Sequence, residues 1–220
     1  MLLVDVDPQA NATSGLGITE VQKSIYDVIT LSEPMADVII KTDFRNLWVC
    51  PSSEELAGAE IELVSIENRE FVLKNALDSV RSDFDYIFLD CPPSLGLVTL
   101  NCLTATDTVL IPIQCEYYAL EGVGLLTNNI KRIKKSLNPD IDIEGILLTM
   151  LDARTNLGLQ VVEEVKRHFM GKVYANVIPR NVRLSEAPSY GQPINVYDPT
   201  SRGAETYMAL AEEFLMLNEE

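Results

Sequence analysis

The chain has 220 residues, 47% hydrophobic and 23% charged, a balance typical of globular domains and not of disordered chains. It has one histidine and four cysteines without C-x-x-C spacing, which argues against a zinc site or a Ser-His-Asp triad. The net charge of −16 is uneven: residues 1–130 carry 6 basic and 20 acidic side chains, whereas residues 131–202 carry 11 and 8. A basic face in the C-terminal half is therefore compatible with an acidic chain.

Short apolar runs alternate with helical patterns and predict a doubly wound α/β fold with a mostly parallel sheet and helices on both faces. The predicted strands are Leu2–Val6, Leu47–Cys50, Tyr86–Leu89, Thr108–Ile113, Gly145–Met150 and Val173–Ile178. The predicted helices are Arg69–Arg81, Leu120–Leu137, Leu157–Phe169 and Arg202–Leu217. Since no linker or repeat interrupts the pattern, we predict a single domain over residues 1–220.

Carboxylates follow two of the predicted strands, where ligands bind in such folds. Asp5 and Asp7 end the first strand, and Asp90 follows four apolar residues in the manner of a Walker B strand. Such a carboxylate reaches Mg²⁺, usually through a bound water. The alternative is that Asp90 caps the following helix and that Asp5 or Asp7 stabilises a turn. The residues alone leave both interpretations open.

A nucleotide site also needs a phosphate-binding loop, normally G-x-x-x-x-G-K-[ST]. Residues 1–220 contain no such sequence: Val173 follows the Gly171-Lys172 pair, and the segment Gly15–Gly17 has no lysine. The residues alone therefore predict an α/β domain with a magnesium-phosphate site that lacks its anion-binding half.

Five motifs in consistent order resemble those of the ParA/Soj chromosome- and plasmid-partitioning ATPases, which are related to MinD. They are LLVDVDPQANATSGLG, FDYIFLDCPPSLGLVTLN, PIQCEYYALEGVG, GILLTMLDARTNLG and VIPRNVRLSEAPSYGQPINVYDPTSRGAETY. The resemblance implies a P-loop NTPase-like fold. Family members begin with a strand, a deviant P-loop K-G-G-x-G-K-T-[ST] and a helix, and we expect this chain to lack these first elements.

The resemblance also implies roles for the strand-end residues. Asp7 would position the attacking water, Asp5 would support the magnesium and phosphate environment, and Asp90 would be the Walker B acid. The switch that senses the γ-phosphate would comprise Pro92, Pro93 and Ser94. The nucleotide-base pocket would comprise Met150, Asp152, Pro179, Arg180 and Asn181, although simple loop geometry is an equal explanation for Pro179.

Non-specific DNA binding in the family relies on surface arginines. The matching residues are Arg154 and Arg183, which lie on predicted turns without an evident acidic partner. The candidate helpers are Lys166, Arg167, Lys172 and Arg202. Contacts of this kind go to phosphates and are salt-sensitive. Lys166 and Arg167 are better explained as a solvated helix face. Tyr117 and Tyr118 are interpreted as core and switch-loop anchors rather than as a stacking platform for single-stranded nucleic acid.

As a whole, the resemblance implies an ATPase with ATP and Mg²⁺ as cofactors that forms a homodimer, binds double-stranded DNA and is stimulated by a ParB-type partner. The resemblance also implies a nucleoid-associated protein, and a cytoplasmic location is expected because the N-terminus MLLVDVDPQ does not have the pattern of a signal peptide. The 220-residue chain is expected to be impaired in hydrolysis, and the alternative is a non-catalytic DNA- or partner-binding protein. A membrane role is disfavoured because the C-terminal AEEFLMLNEE is acidic. Chromosome and plasmid segregation are not distinguished.

Overall fold

A computed structural model describes residues 1–116 and 119–218, so that Tyr117 and Tyr118 lie outside the described residues. The strands are β1 (Leu2–Asp5), β2 (Ile40–Lys41), β3 (Trp48–Cys50), β4 (Ile87–Asp90), β5 (Thr108–Gln114) and β6 (Asp142–Thr149). The helices are α1 (Asn11–Gly15), α2 (Ile25–Leu31), α3 (Leu56–Glu62), α4 (Val72–Asp78), α5 (Leu97–Ala105), α6 (Ala119–Ser136), α7 (Asn156–His168), α8 (Val182–Glu186), α9 (Ile194–Tyr197) and α10 (Arg202–Asn218).

The chain divides into two compact units, residues 1–106 with 137–139 and residues 107–136 with 140–220. We refer to them as unit 1 and unit 2. The prediction of a single domain is not tested by this division and stays a prediction. The predicted α/β class with a mostly parallel sheet is confirmed, because β1, β3 and β4 run parallel in unit 1 and β5 and β6 run parallel in unit 2.

The unit 1 sheet has the strand order β2-β3-β1-β4, with β2 antiparallel at one edge. Leu2 and Val4 of β1 are fully buried at the centre of this sheet. The register pairs Leu2 with Ile87 and Asp5 with Asp90. Because the strands are parallel, their carboxyl ends meet at one edge, and the two predicted strand-end acids are direct neighbours across the ladder.

The first N–H groups of helix α5 donate hydrogen bonds to a carboxylate that is distant in the sequence. Glu60 on α3 accepts hydrogen bonds from the backbone N–H of Leu97 (2.7 Å) and of Val98 (3.1 Å). The N-cap residue Gly96 packs so closely against this carboxylate that a Cβ there would collide with it. Asn101, fully buried within α5, accepts from the N–H of Leu73 and ties α4 to α5. Since α5 is buried along almost all its length, it lacks the amphipathic pattern that predicts surface helices.

In unit 2 the predicted strand Val173–Ile178 is wrong: only isolated bridges join Ile146 to Val173 and Leu151 to Pro179. The segment begins to pair, since Tyr174 N–H donates to the carbonyl of Ile146 (3.0 Å). The Glu213 carboxylate on α10 then takes the N–H groups of Ala175 (2.6 Å) and Asn176 (3.1 Å). Side-chain capping by a distant acid therefore interrupts a ladder that the apolar pattern favours.

The three strongly periodic helices are confirmed to within a residue or so at each end: α6, α7 and α10 correspond to Leu120–Leu137, Leu157–Phe169 and Arg202–Leu217. The predicted helix Arg69–Arg81 is shorter, because α4 is flanked by 3₁₀ turns at Arg69–Phe71 and Arg81–Asp83. Within the described ranges, none of the helices combines the length and the apolar character required to cross a membrane.

We predict that Glu60→Ala lowers the free energy of unfolding by about 1–2 kcal/mol, because two N–H groups at the start of α5 lose a charged acceptor. Urea denaturation measures the change. Glu67→Ala, which removes an exposed glutamate from the same unit, is the matched control and should change stability by less than about 0.5 kcal/mol. Gly96→Ala should destabilise the wild type more than the Glu60→Ala variant, because the collision requires the carboxylate. Equal costs in both backgrounds would contradict this.

Candidate functional site

The acidic cluster of unit 1 consists of Asp5, Asp7 and Asp90. Asp5 is fully buried at the end of β1 and accepts three hydrogen bonds: from Thr13 N–H (2.8 Å), from the Thr13 hydroxyl (2.7 Å) and from Asp7 N–H (3.2 Å). These bonds satisfy a carboxylate that would otherwise be costly to bury. Asp5 thus makes the contacts of the turn-stabilising alternative and fixes the path of the chain through residues 7–13.

Asp7 stands half-buried on that turn. Its carboxylate accepts from the N–H of Gln9 (2.9 Å), an Asx turn, and its carbonyl accepts from the N–H of Ala10 (2.9 Å). Ala10 adopts a left-handed conformation with φ of 51°, which is unfavourable for a residue with a Cβ. Strain of this kind persists only where the surrounding contacts over-determine the backbone. The turn is therefore held in one conformation and presents Asp7 at the strand edge.

Asp90 lies at the end of β4, opposite Asp5, and the residue as a whole is exposed to solvent. Desolvation of its carboxyl group by surrounding atoms, together with the negative charges of Asp5 and Asp7, raises the pKa of Asp90. The interpretation of Asp90 as the cap of the next helix is wrong, since α5 begins seven residues later with Gly96 as its N-cap and Glu60 as the acceptor. The crowding of three carboxylates favours a cation at this edge.

The sequence analysis did not predict a role for two hydroxyl-bearing residues near this edge, Thr13 and Ser52. The Thr13 hydroxyl, besides donating to Asp5, accepts from the N–H of Ser52 (3.0 Å), just beyond β3. The Ser52 hydroxyl is buried and has no hydrogen-bond partner among the described residues. Pairing between residues 39 positions apart depends on the order of strands, which a local pattern does not report.

The predicted switch residues Pro92, Pro93 and Ser94 follow Asp90 directly and lead to the start of α5. The Ser94 carbonyl accepts from the Thr99 hydroxyl (2.6 Å), and Glu60 holds the first N–H groups of the helix. This segment therefore has a fixed C-terminal anchor. Among the described residues, no group of three or more His, Cys, Asp or Glu side chains is arranged to hold a metal. One or two carboxylates suffice for Mg²⁺ when phosphate oxygens and waters complete its shell.

Unit 2 contains an open pocket of about 1030 Å³, here called the unit 2 pocket. Met150, Asp152 and Arg180, three of the five residues predicted for the nucleotide base, line it, and so do Arg154 and Glu116. Pro179 instead forms the bridge with Leu151, and Asn181 caps α8 by accepting from Arg183 N–H (2.8 Å). The structure thus brings three of the predicted residues together in the pocket lining. The other two, Pro179 and Asn181, hold the adjoining chain in place.

Met150, directly after β6, also has a left-handed backbone, with φ of 57°. The chain around it is fixed by Leu151 N–H donating to Ile178 (3.1 Å) and by Arg180 N–H donating to Leu151 (3.0 Å). Strained residues of this kind are concentrated at ligand sites. The turn that carries Asp152 is consequently well determined.

Among the described residues, the two carboxylates that line the unit 2 pocket, those of Asp152 and Glu116, are paired with arginines. Arg154 donates to Asp152 from Nε (2.9 Å) and from a terminal nitrogen (2.7 Å), and this contact holds the pKa of Asp152 well below its usual range. Arg180 donates to Glu116 (3.0 Å). The pairing neutralises negative charge that would repel an anionic ligand.

The expectation that Arg154 and Arg183 have no acidic partner is wrong. Arg154 pairs with Asp152, and Arg183 pairs with Glu186 (2.8 Å) and Asp198 (3.3 Å). The partners lie two, three and fifteen positions away, and the last of them becomes a neighbour only through the fold. Arg202 is exposed at the start of α10. All three predicted DNA-contact arginines belong to unit 2.

Comparison with known proteins gives consistent relatives. Residues 1–143 match the model of a family described as "AAA domain". The chain is 60% identical over 215 residues to the sporulation initiation inhibitor protein Soj of Bacillus subtilis (strain 168), covering 97% of this chain and 85% of that protein. It is 53% identical over 216 residues to the chromosome partitioning protein ParA of Myxococcus xanthus, covering 97% and 76%.

Solved structures share the fold. The cobyrinic acid a,c-diamide synthase of Mycobacterium smegmatis, determined with an ATP analogue and magnesium, matches with a TM-score of 0.82 at 35% identity, covering 96% of this chain and 80% of that one. The cell division ATPase MinD of Pyrococcus furiosus matches with a TM-score of 0.79 at 24% identity, covering 98% and 86%, which bears on the fold alone. From these relatives, the chain belongs to the ParA/Soj family of chromosome-partitioning ATPases.

Proposed function

We propose that this protein is an ATP- and magnesium-dependent partition ATPase that dimerises with ATP, binds DNA non-specifically in the cytoplasm on the nucleoid, and hydrolyses ATP when a ParB-type partner stimulates it. The observation that carries the proposal is the acidic cluster: Asp5 and Asp90 are register neighbours, and Asp7 is presented on the turn beside them. Its presence in a chain 60% identical to Soj supports the assignment.

The acidic cluster fits a magnesium ion because Asp5 and Asp90 are register neighbours at one strand edge and Asp7 stands on the adjoining turn. Desolvation and, after it, the charges of Asp5 and Asp7 raise the pKa of Asp90, and a bound cation would offset both effects. Asp90 would hold the ion through a bound water. The buried Ser52 hydroxyl, next to Thr13, has no hydrogen-bond partner among the described residues. When bound, Mg²⁺ neutralises charge on the transferred phosphoryl group. Asp5 acts as a positioning residue, since its oxygens bind Thr13 and the N–H of Asp7.

Asp7 would hold the attacking water. Its carboxylate accepts one hydrogen bond, from Gln9 N–H, and retains lone pairs for a water molecule. Orientation of that water by a fixed carboxylate suits phosphoryl transfer, in which positioning and electrostatics dominate. The unit 2 pocket, with Met150, Asp152 and Arg180, would receive the nucleotide base, with Pro179 and Asn181 fixing the adjoining backbone.

We further propose that the 220-residue polypeptide binds nucleotide weakly and turns ATP over slowly, because it contains no lysine-bearing phosphate loop. The exposed arginines of unit 2 also suit a second candidate function, a non-catalytic DNA- or partner-binding protein. A fusion that places a K-G-G-x-G-K-T-[ST] strand–loop–helix ahead of Met1 separates the two. The ATPase proposal expects turnover from the fusion, and a fusion that binds no adenine nucleotide would support the second candidate.

In that fusion, Asp7→Ala should reduce turnover at least about 100-fold while ATP binding and the ATP-dependent dimer persist, because only the water-positioning group is lost. Phosphate release and size-exclusion chromatography measure the two effects. Asp43→Ala, which removes an exposed acid of the same unit, is the control. Retained turnover in the Asp7→Ala protein would refute the role of Asp7.

Asp90→Asn should raise the unfolding temperature of the nucleotide-free chain at pH 7. The raised pKa means that ionisation of Asp90 is disfavoured in the folded state, so folding is penalised above the ordinary aspartate pKa of about 3.9. The advantage of Asp90→Asn should disappear as the pH falls below that value, where the carboxyl is protonated in both states. Thermal melts from pH 3 to 7 test this, and a variant less stable than wild type at pH 7 would contradict it.

For DNA binding, we propose contacts by Arg154, Arg183 and Arg202. The acidic partners of the first two do not preclude this, since exposed ion pairs are worth only about 0–1 kcal/mol and phosphates can compete for the guanidinium groups. Exposure supports it: the side chain of Arg154 is 88% exposed.

Arg154→Glu combined with Arg183→Glu should abolish DNA retention by the fusion at saturating ATP, because two phosphate contacts become repulsive in each protomer. Electrophoretic mobility shift at several salt concentrations measures the loss. Lys166→Glu with Arg167→Glu makes the same charge change on α7 and is the control. Equal DNA affinity of the Arg154/Arg183 variant and wild type would remove the arginine assignment.

A further inference from the structure

The unit 2 pocket presents a carboxylate to its ligand. Asp152 lines the pocket beside Met150 and Leu157, and its side chain is 26% exposed. A carboxylate with two free oxygens is selective among purines. Guanine offers two adjacent donors, N1–H and N2–H₂, whereas adenine offers the N6–H₂ donor beside the N1 acceptor, which a carboxylate repels. An unpaired Asp152 would therefore favour guanine over adenine.

In the structure, Asp152 is not free to do so. Arg154 occupies Oδ1 through its Nε (2.9 Å) and its backbone N–H (3.1 Å), and it occupies Oδ2 through a terminal nitrogen (2.7 Å). The contact is bidentate, so both oxygens are engaged by one guanidinium group. The other arginine–carboxylate pair in the pocket, Arg180 with Glu116, makes a single hydrogen bond and leaves one oxygen of Glu116 free of it.

We propose that Arg154 determines the base selectivity of the unit 2 pocket by masking Asp152, so that guanine must compete with a guanidinium group for both carboxylate oxygens and adenine is not rejected. The inference rests on the proposed base-binding role of this pocket. It gives Arg154 a function within its own unit that does not require DNA. Arg154 is a positioning residue here, since it acts on the base through the availability of Asp152.

The test compares AMP and GMP binding to the full 220-residue chain by NMR-detected titration, which measures weak affinities. Arg154→Ala removes the mask and should shift the affinity ratio about tenfold toward GMP, because a charged acceptor pair becomes available. Arg154→Lys, which cannot cover both oxygens, should shift it less. Loss of the Arg154 charge affects AMP and GMP equally, because both nucleotides carry the same phosphate. The ratio of the two affinities therefore reports base recognition alone.

Two further variants separate masking from a general effect. Asp152→Ala in the Arg154→Ala background should return the ratio to the wild-type value. Arg167→Ala breaks a comparable exposed pair, Arg167 with Glu164, outside the pocket lining, and should leave the ratio unchanged. An unchanged ratio in Arg154→Ala, or a wild-type preference for GMP, overturns the inference while leaving the base pocket standing. If wild type and all variants bind neither nucleotide, the proposed base pocket and the inference both fail.

Discussion

The candidate chemistry of this protein depends on the burial of one carboxylate, that of Asp5. It sits at the end of the central strand of unit 1 and is satisfied by Thr13 and by the N–H of Asp7. A fully buried charge without those bonds would be strongly destabilising, so the turn through residues 7–13 has little freedom. Ala10, with its left-handed backbone, lies within that turn. Asp5 therefore positions its neighbours, and the more accessible Asp7 and Asp90 are left for a ligand.

Unit 2 handles charge differently, because the pocket carboxylates that the structure describes are paired with arginines. The pairs Asp152–Arg154 and Glu116–Arg180 let an acidic chain present a pocket that does not repel an anion. The same device affects the DNA proposal, since Arg154 and Arg183 are shared between acidic partners and any phosphate they contact. Because these pairs are exposed, their strength is small and the competition is open to salt and to ligand.

The two units share one backbone feature at the end of a strand. In each, a strand is followed by a non-glycine residue with positive φ, Ala10 after β1 and Met150 after β6. The carboxyl ends of parallel strands are where α/β folds place ligands. Backbone strain at both positions, in a chain that belongs to a partitioning ATPase family, agrees with functional selection of these turns.

The sequence by itself determined the α/β class, the strand-end acids and the long helices α6, α7 and α10, because continuous apolar runs and helical periodicity are local signals. Tertiary structure alone decided the features that join distant residues. Glu60 accepts the first N–H groups of α5, and Glu213 accepts N–H groups of the segment Val173–Ile178 that was expected to be a strand. Asp198 forms an ion pair with Arg183. In each case one side chain satisfies a backbone or charged group across a separation of 15 to 38 positions. Which residues become neighbours at that range is set by how the elements pack, and no local pattern encodes it.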